Sequence, residues 1–126
     1  MASNNFHRLF DCPVWAHDHA GIETDKLKEY ILSVQKNDPN GRKVSNVEGW
    51  QSNFQHLQTP ELQQFFQQVI VDLNYYYEQL GGDMEKYEVS ITDCWFNING
   101  KNTYNRPHAH TGYLSLVYYV EATEDS

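Results

Sequence analysis

The chain has 126 residues, of which 40% are hydrophobic and 14% aromatic, so it can bury one modest core but is too short for two domains. Nine Lys and Arg against seventeen Asp and Glu give a formal net charge of -8. The basic residues are scattered rather than clustered, which excludes nucleic acid as an expected partner. No apolar run approaches the ~20 residues of a membrane span, so we expect no membrane association and a cytoplasmic protein.

Two helices are predicted in the first two-thirds of the chain. From Thr24, the segment TDKLKEYILSVQKNDPNG places apolar residues at the i, i+3, i+4 and i+7 positions of one helical face, and DPNG predicts its end. Thr59 is a good N-cap for a second helix, with Pro60 in the first helical position and GGD as its C-terminal stop. The apolar face of this helix comprises Leu62, Phe65, Phe66, Val69, Ile70, Leu73, Tyr76, Tyr77 and Leu80.

The remaining segments predict an arm, a loop and a set of strands. Residues 6–15, FHRLFDCPVW, are typical of a short edge strand or an extended arm, and residues 42–58 have no clear period and indicate a long loop. The period changes to two in YEVSITDCWFNIN (87–99) and YLSLVYYV (113–120), which are rich in β-branched and aromatic residues. Helices therefore come first and strands second, which predicts the α+β class.

His108 and His110 follow Pro107 and precede the second predicted strand. Side chains at i and i+2 of a strand share a face, about 6.6 Å apart by the rise per residue. Two imidazoles in that position can take adjacent sites on one metal ion, or they can be two half-exposed residues at a strand end. A cupin would follow its His-x-His with a glutamate, and the nearest acids here are Asp93 and Glu121. Spacing alone leaves these alternatives open.

Other potentially reactive residues give weaker signals. His17 and His19 form a second His-x-His, which we interpret as part of a solvated loop. Ser115 lacks the Gly-flanked elbow of a serine nucleophile. Cys12 and Cys94 have neither metal-ligand spacing nor an electropositive neighbourhood, and two thiols fit a reducing compartment at least as well as one disulfide.

Four stretches in order resemble a known family. SNVEGWQS (45–52), a helix, WFNING (95–100) and RPHAHTGYLSLVYYV (106–120) are similar to the Fe(II)/2-oxoglutarate-dependent oxygenases of marine bacteria and cyanophages, relatives of the prolyl hydroxylases. That family has SN-x-GGW-x-S before a helix, then W-x-N-x-N, then H-x-H leading into LSGVYYV. The chain differs at Glu48 and Leu116, where the family usually has glycine.

The resemblance implies a double-stranded β-helix, or jelly roll, with N-terminal helices packed on its sheet. It implies Fe(II) held by His108, with His110 in the position where related oxygenases have a carboxylate. 2-Oxoglutarate would be the small-molecule co-substrate, and the primary substrate is undefined. Residues expected to contact the co-substrate are Asn97, Asn99, Tyr104 and Tyr118. The alternative role is turn capping for the two asparagines and core packing for Tyr118.

The family has further strands after the segment that matches 113–120, and these carry a distal histidine and the arginine that binds 2-oxoglutarate. This sequence has six more residues after Val120, and the three to five strands we count fall short of the roughly eight of a jelly roll. We therefore interpret residues 1–126 as a single domain, the N-terminal portion of a truncated oxygenase. An incomplete barrel predicts a homodimer or larger assembly. The alternatives are a non-catalytic binding module and a cupin-like metal-binding protein.

Overall fold

A computed structural model describes residues 11–123, where two helices accompany two small antiparallel sheets. The helical elements are α1 Thr24–Asn37, a 3₁₀ turn Pro60–Leu62 and α2 Gln63–Gln79. The strands are β1 Asn46–Val47, β2 Trp50–Gln51, β3 Asn97–Ile98 and β4 Tyr104–Asn105. The α+β class is confirmed in this form. Within residues 11–123, neither helix has the length and apolarity needed to cross a bilayer.

Helix α1 confirms the prediction made from its periodicity. Leu27 and Ile31 are buried, and Tyr30 and Val34 pack beside them against the core. The helix ends where the amide of Asp38 donates to Val34 O at 3.0 Å. The i, i+3, i+4, i+7 pattern therefore marks the face that contacts the rest of the protein.

The second helical segment begins and ends as local signals predict, with one difference. Its first turn is a 3₁₀ turn that contains the fully buried Leu62, and Thr59 makes no side-chain capping bond. At the other end Gly82 N donates to Tyr77 O and Gly81 N to Glu78 O, both at 2.9 Å. Gly81 has a φ of 85°, so this is a Schellman motif, in which glycine adopts the left-handed conformation without a Cβ penalty.

The expectation of a long loop over residues 42–58 is wrong in part, because β1 and β2 lie within it. Strand β1 pairs with β4, and β2 pairs with β3, each antiparallel. Beyond β2, the chain continues beside the segment before β3 through hydrogen bonds from Ser52 N to Phe96 O and from Gln55 N to Cys94 O. A polar segment without a period forms strands here because it pairs with residues that lie 46 to 59 positions further along the chain.

The strands expected at 87–99 and 113–120 are largely absent from the described part of the chain. Only Asn97–Ile98 is a strand in the first segment, and residues 113–120 contain none. Both segments have strand-like composition, but a ladder needs a hydrogen-bonded neighbour, which 113–120 does not have. Of the predicted arm at 6–15, residues 11–15 are not a strand and the remainder lies outside the described residues.

The core forms where the two helices meet the two segments that carry β2 and β3. Its buried residues are Ile22, Leu27, Ile31, Trp50, Leu62, Phe66, Val69 and Phe96. Trp50 also donates its indole N–H to Asp38 O at 2.9 Å. Ser52, which is fully buried, accepts a hydrogen bond from Phe96 N at 2.9 Å through its hydroxyl. The hydroxyl thus satisfies a buried amide at the centre of the molecule.

We expect Ser52→Ala to lower the free energy of unfolding by about 1–3 kcal/mol, because the Phe96 amide would stay buried without a partner. Urea denaturation followed by circular dichroism measures this. Ser33→Ala is the matched control, since the Ser33 hydroxyl donates to Tyr30 O on the exposed surface of α1. An equal effect of the two substitutions would contradict the role given to Ser52.

The turn between β1 and β2 contains one of the positions at which the chain differs from the resembled family. Glu48 has a φ of 60°, a left-handed conformation that disfavours residues with a Cβ, and the family usually has glycine at this position. The next residue, Gly49, is also constrained, because a Cβ built on it would lie 2.1 Å from Asn99 Oδ1. Glycine is therefore required at position 49, where the Asn99 side chain leaves no room for a Cβ. At position 48 the glutamate adopts a strained left-handed conformation that a glycine would adopt without cost.

Glu48→Gly is therefore expected to stabilise the protein by about 0.5–1 kcal/mol, the relief of left-handed strain less the extra entropy of glycine in the unfolded chain. Asn102→Gly is the control, because Asn102 has a similar φ of 63° but asparagine tolerates it. The urea midpoint at constant m-value reports both changes. A destabilised Glu48→Gly variant would show that the glutamate side chain contributes more than its backbone costs.

Candidate metal site

The His108–His110 pair lies on the segment that leaves β4, not on a strand as expected. The start of this segment is fixed by Arg106 N, which donates to Ser45 O at 2.8 Å. His108 Nδ1 lies 2.7 Å from Arg106 O. Because a carbonyl oxygen only accepts, His108 Nδ1 carries the proton. In the neutral form of the ring, Nε2 then carries the lone pair, which is the form that ligates metals.

The two rings meet through their Nε2 atoms, 2.9 Å apart, with ring centroids 4.8 Å apart. Without a metal, His110 Nε2–H is the donor and His108 Nε2 the acceptor, since His108 Nδ1 already holds the proton of that ring. The His-x-His spacing correctly predicted that the two imidazoles are neighbours. It did so despite the wrong secondary structure.

An aromatic stack positions His110. Its ring lies against Trp95 at a centroid distance of 5.3 Å and an interplanar angle of 26°. Trp95 in turn contacts Phe54 at 5.7 Å, and the guanidinium of Arg42 lies 4.5 Å from the Phe54 centroid. Trp95 immediately precedes Phe96 of the core, so the stack connects the imidazole pair to the buried centre of the protein.

The imidazole pair fits two ligand positions of one metal ion. Nitrogen atoms 2.9 Å apart subtend about 87° at an ion ~2.1 Å from each, close to the right angle between neighbouring positions of an octahedron. Across residues 11–123, however, no group of three His, Cys, Asp or Glu side chains is arranged to hold a metal. Among the described residues, the imidazole pair therefore has no third ligating side chain beside it, whereas a facial triad needs three.

The residues expected to contact 2-oxoglutarate are spread over several elements. Asn97 and Tyr104 lie in different sheets, paired with Gln51 and Val47 respectively. Asn99 contacts the backbone of the turn at Gly49. Both asparagines and Tyr104 are exposed.

Tyr118 is in the core-packing role that was its alternative. Its hydroxyl lies 2.8 Å from Thr24 Oγ1, and its ring contacts Phe65 at 5.4 Å. The hydroxyl is therefore engaged at the start of α1.

One buried polar atom, three positions before His108 in the sequence, has no partner among the described residues. Asn105 Oδ1 is buried and accepts no hydrogen bond from the residues that the structure describes. Two residues, Arg106 and Pro107, separate it from His108 in the sequence. The two imidazoles are themselves exposed, so the described residues do not enclose a pocket around them. A co-substrate bound here would need further walls.

The second His-x-His lies in a largely exposed loop, as expected, but both of its imidazoles have a specific partner. His19 Nε2 lies 3.1 Å and His17 Nε2 3.6 Å from the same Asp72 oxygen on α2. Trp15 stacks on His17 at 4.2 Å, and only 16% of the His19 side chain is exposed. These contacts attach the segment before α1 to α2. Nothing near His17 in the sequence signals them, because their partner is more than fifty residues away.

The two cysteines, Cys12 and Cys94, are both free. Burial raises the pKa of the Cys94 thiol to about 11, which keeps it protonated at neutral pH and makes it a poor nucleophile and metal ligand. Cys12 is exposed. Thiol chemistry therefore does not contribute to the site.

No protein-family model matches the chain, and no match was found among curated proteins or among solved structures. The candidate site is consequently supported by its own geometry and by the resemblance in its motifs.

We expect Cys12 to react with a thiol reagent at pH 8 much faster than Cys94, whose thiolate is suppressed by its pKa of about 11 and whose sulfur is shielded. Mass spectrometry of peptides after timed iodoacetamide labelling measures the two rates. In about 6 M guanidinium chloride, which unfolds most domains, the two labelling rates should converge. Equal rates in the native protein would contradict the buried placement of Cys94.

Proposed function

We propose that this chain contributes the His-x-His of an Fe(II)/2-oxoglutarate-dependent oxygenase of the prolyl-hydroxylase type, and that its sheets are part of a jelly roll. The observation that carries the proposal is the 2.9 Å separation of His108 Nε2 and His110 Nε2. The proton on His108 Nδ1 supports it, because a backbone carbonyl holding the other ring nitrogen is the usual outer contact of a metal-bound histidine.

In this proposal each residue near the pair has a separate task. Arg106 O fixes the tautomer and ring orientation of His108. Trp95 fixes the plane of His110 by stacking on it. When His110 binds a metal ion, its Nε2 proton must leave, because a ligating imidazole nitrogen is deprotonated. Metal binding therefore replaces the proton that the two rings share.

Fe(II) with 2-oxoglutarate and O₂ would supply oxidation of a substrate C–H bond, with conversion of the keto acid to succinate and CO₂. The described residues provide neither the third ligand nor an enclosed co-substrate pocket. In this proposal the chain itself binds the metal ion, and turnover of 2-oxoglutarate requires a site in which all three ligands are present.

A non-catalytic interaction module is the second candidate. It is favoured by a row of exposed apolar and aromatic side chains in the segment after the histidines, where Tyr113, Val117 and Tyr119 are 86%, 73% and 76% exposed. In this function the imidazole pair keeps its shared proton and binds no metal. The two candidates therefore differ in one measurable property, metal affinity.

We expect the purified chain to bind Fe(II) under anaerobic conditions, and His108→Ala to weaken binding by at least about tenfold, since even loss of an outer contact of a ligand costs this much. Isothermal titration calorimetry measures the affinity. His56→Ala is the matched control, because the His56 ring lies in a turn and accepts only from Gln58 N. Unchanged Fe(II) affinity of His108→Ala, or no binding by the unsubstituted chain, would refute the proposed metal site.

A further inference from the structure

One face of the segment 113–120 packs against the core, and its other face is exposed to solvent. From residue 117 to 120 the side chains alternate, with Val117 and Tyr119 mostly exposed and Tyr118 and Val120 packed against the core. This is the alternation of an extended chain. Beyond it, the Lys28 ammonium on α1 pairs with Glu121, so both the ring of Tyr118 and this ion pair hold the segment in place.

The backbone of this segment has no sheet partner among residues 11–123. In the described range, no backbone–backbone hydrogen bond joins residues 107–120 to another segment. The composition is nevertheless that of a strand, because YLSLVYYV consists almost entirely of β-branched, aromatic and leucine residues. Residues 115–119 lie between bends at 111–114 and at 120. A segment of this kind, with backbone groups that have no partner in the described range and a row of apolar side chains, is a template for addition of another strand.

The exposed area is large enough for a stable partner. The chain exposes 10435 Å², whereas a compact monomer of 14.8 kDa exposes about 7,000 Å². The thirteen residues outside 11–123 account for at most about 2,200 Å² of this difference, the area of a fully extended chain, so an excess of at least about 1,200 Å² remains. Obligate dimers bury about 1,000–2,500 Å² per chain, so the excess is of that size.

Charge favours a second copy in one orientation. Residues 111–120 contain no Asp, Glu, Lys or Arg, although the chain has a net charge of -8. Arg106 precedes this segment and Glu121 follows it. Antiparallel pairing about a two-fold axis would place the Arg106 end of each copy beside the Glu121 end of the other, whereas parallel pairing would bring like charges together.

We propose that residues 113–120 of two copies of this chain pair antiparallel about a two-fold axis and form a homodimer through a shared sheet. The interface requires neither the imidazole pair nor a metal ion. It therefore goes beyond the proposed oxygenase function, and it is tested in the presence of a chelator so that the two proposals fail independently.

Sedimentation equilibrium of the full chain in EDTA should give a dimer. Val117→Lys should weaken dimerisation by at least tenfold, about 1.4 kcal/mol, because it places two ammonium groups in a shared apolar strand pair. Val71→Lys is the matched control: Val71 is 64% exposed on α2, compared with 73% for Val117, and this variant should remain a dimer. Tyr119→Lys is a second disrupting variant if Val117→Lys does not fold by circular dichroism.

Hydrogen exchange locates the interface directly. The amides of residues 115–119 should gain protection as protein concentration rises through the dimerisation range, while those of the exposed turn at 100–103 should not change. A monomer at all concentrations, a Val117→Lys variant as dimeric as Val71→Lys, or a dimer whose protection appears elsewhere would each overturn the proposal. Dissociation by EDTA alone would also overturn it.

Discussion

The contact on which the rest of the structure depends is the junction between Ser52 and Phe96. Ser52 N donates to Phe96 O at 3.0 Å, and Phe96 N donates to the Ser52 hydroxyl at 2.9 Å. These bonds join residues 44 positions apart, with all of α2 between them. They place Phe96 in the core beside Trp50, and because neighbouring side chains of an extended segment point to opposite sides, they place Trp95 outside, where it stacks on His110. The buried centre and the imidazole pair are thus set by one pair of hydrogen bonds.

The helices could be predicted because their signals are local. The i, i+3, i+4, i+7 face of α1 and the two glycines after α2 are read within one element, and the structure confirms both. Strands were predicted poorly because each ladder needs a partner that composition does not identify. β1 and β2 form in a polar segment whose partners are β4 and β3, whereas residues 113–120 have the composition of a strand and no neighbour within the described chain.

The two His-x-His motifs show the same limit at the level of a site. His108 and His110 contact each other, so spacing of two residues was sufficient to predict their proximity. His17 and His19 have the same spacing, but their common partner is Asp72 of α2, and no local rule could supply it. Spacing predicts which histidines are neighbours. The third group, which decides between a metal site and a structural contact, is set by the tertiary fold.

The shared proton of His108 and His110 has a consequence for how the site is assembled. A pair of ligands without a metal is normally kept apart by lone-pair repulsion, but here a hydrogen bond holds the Nε2 atoms at 2.9 Å, and the Arg106 carbonyl and Trp95 fix the two rings. The spacing of the two nitrogens is therefore set before any ion binds, which lowers the entropy that binding would cost, but each ring must turn so that both Nε2 atoms face the ion instead of each other. Metal binding must also displace a proton, and the third ligand adds affinity without being needed to form the pair.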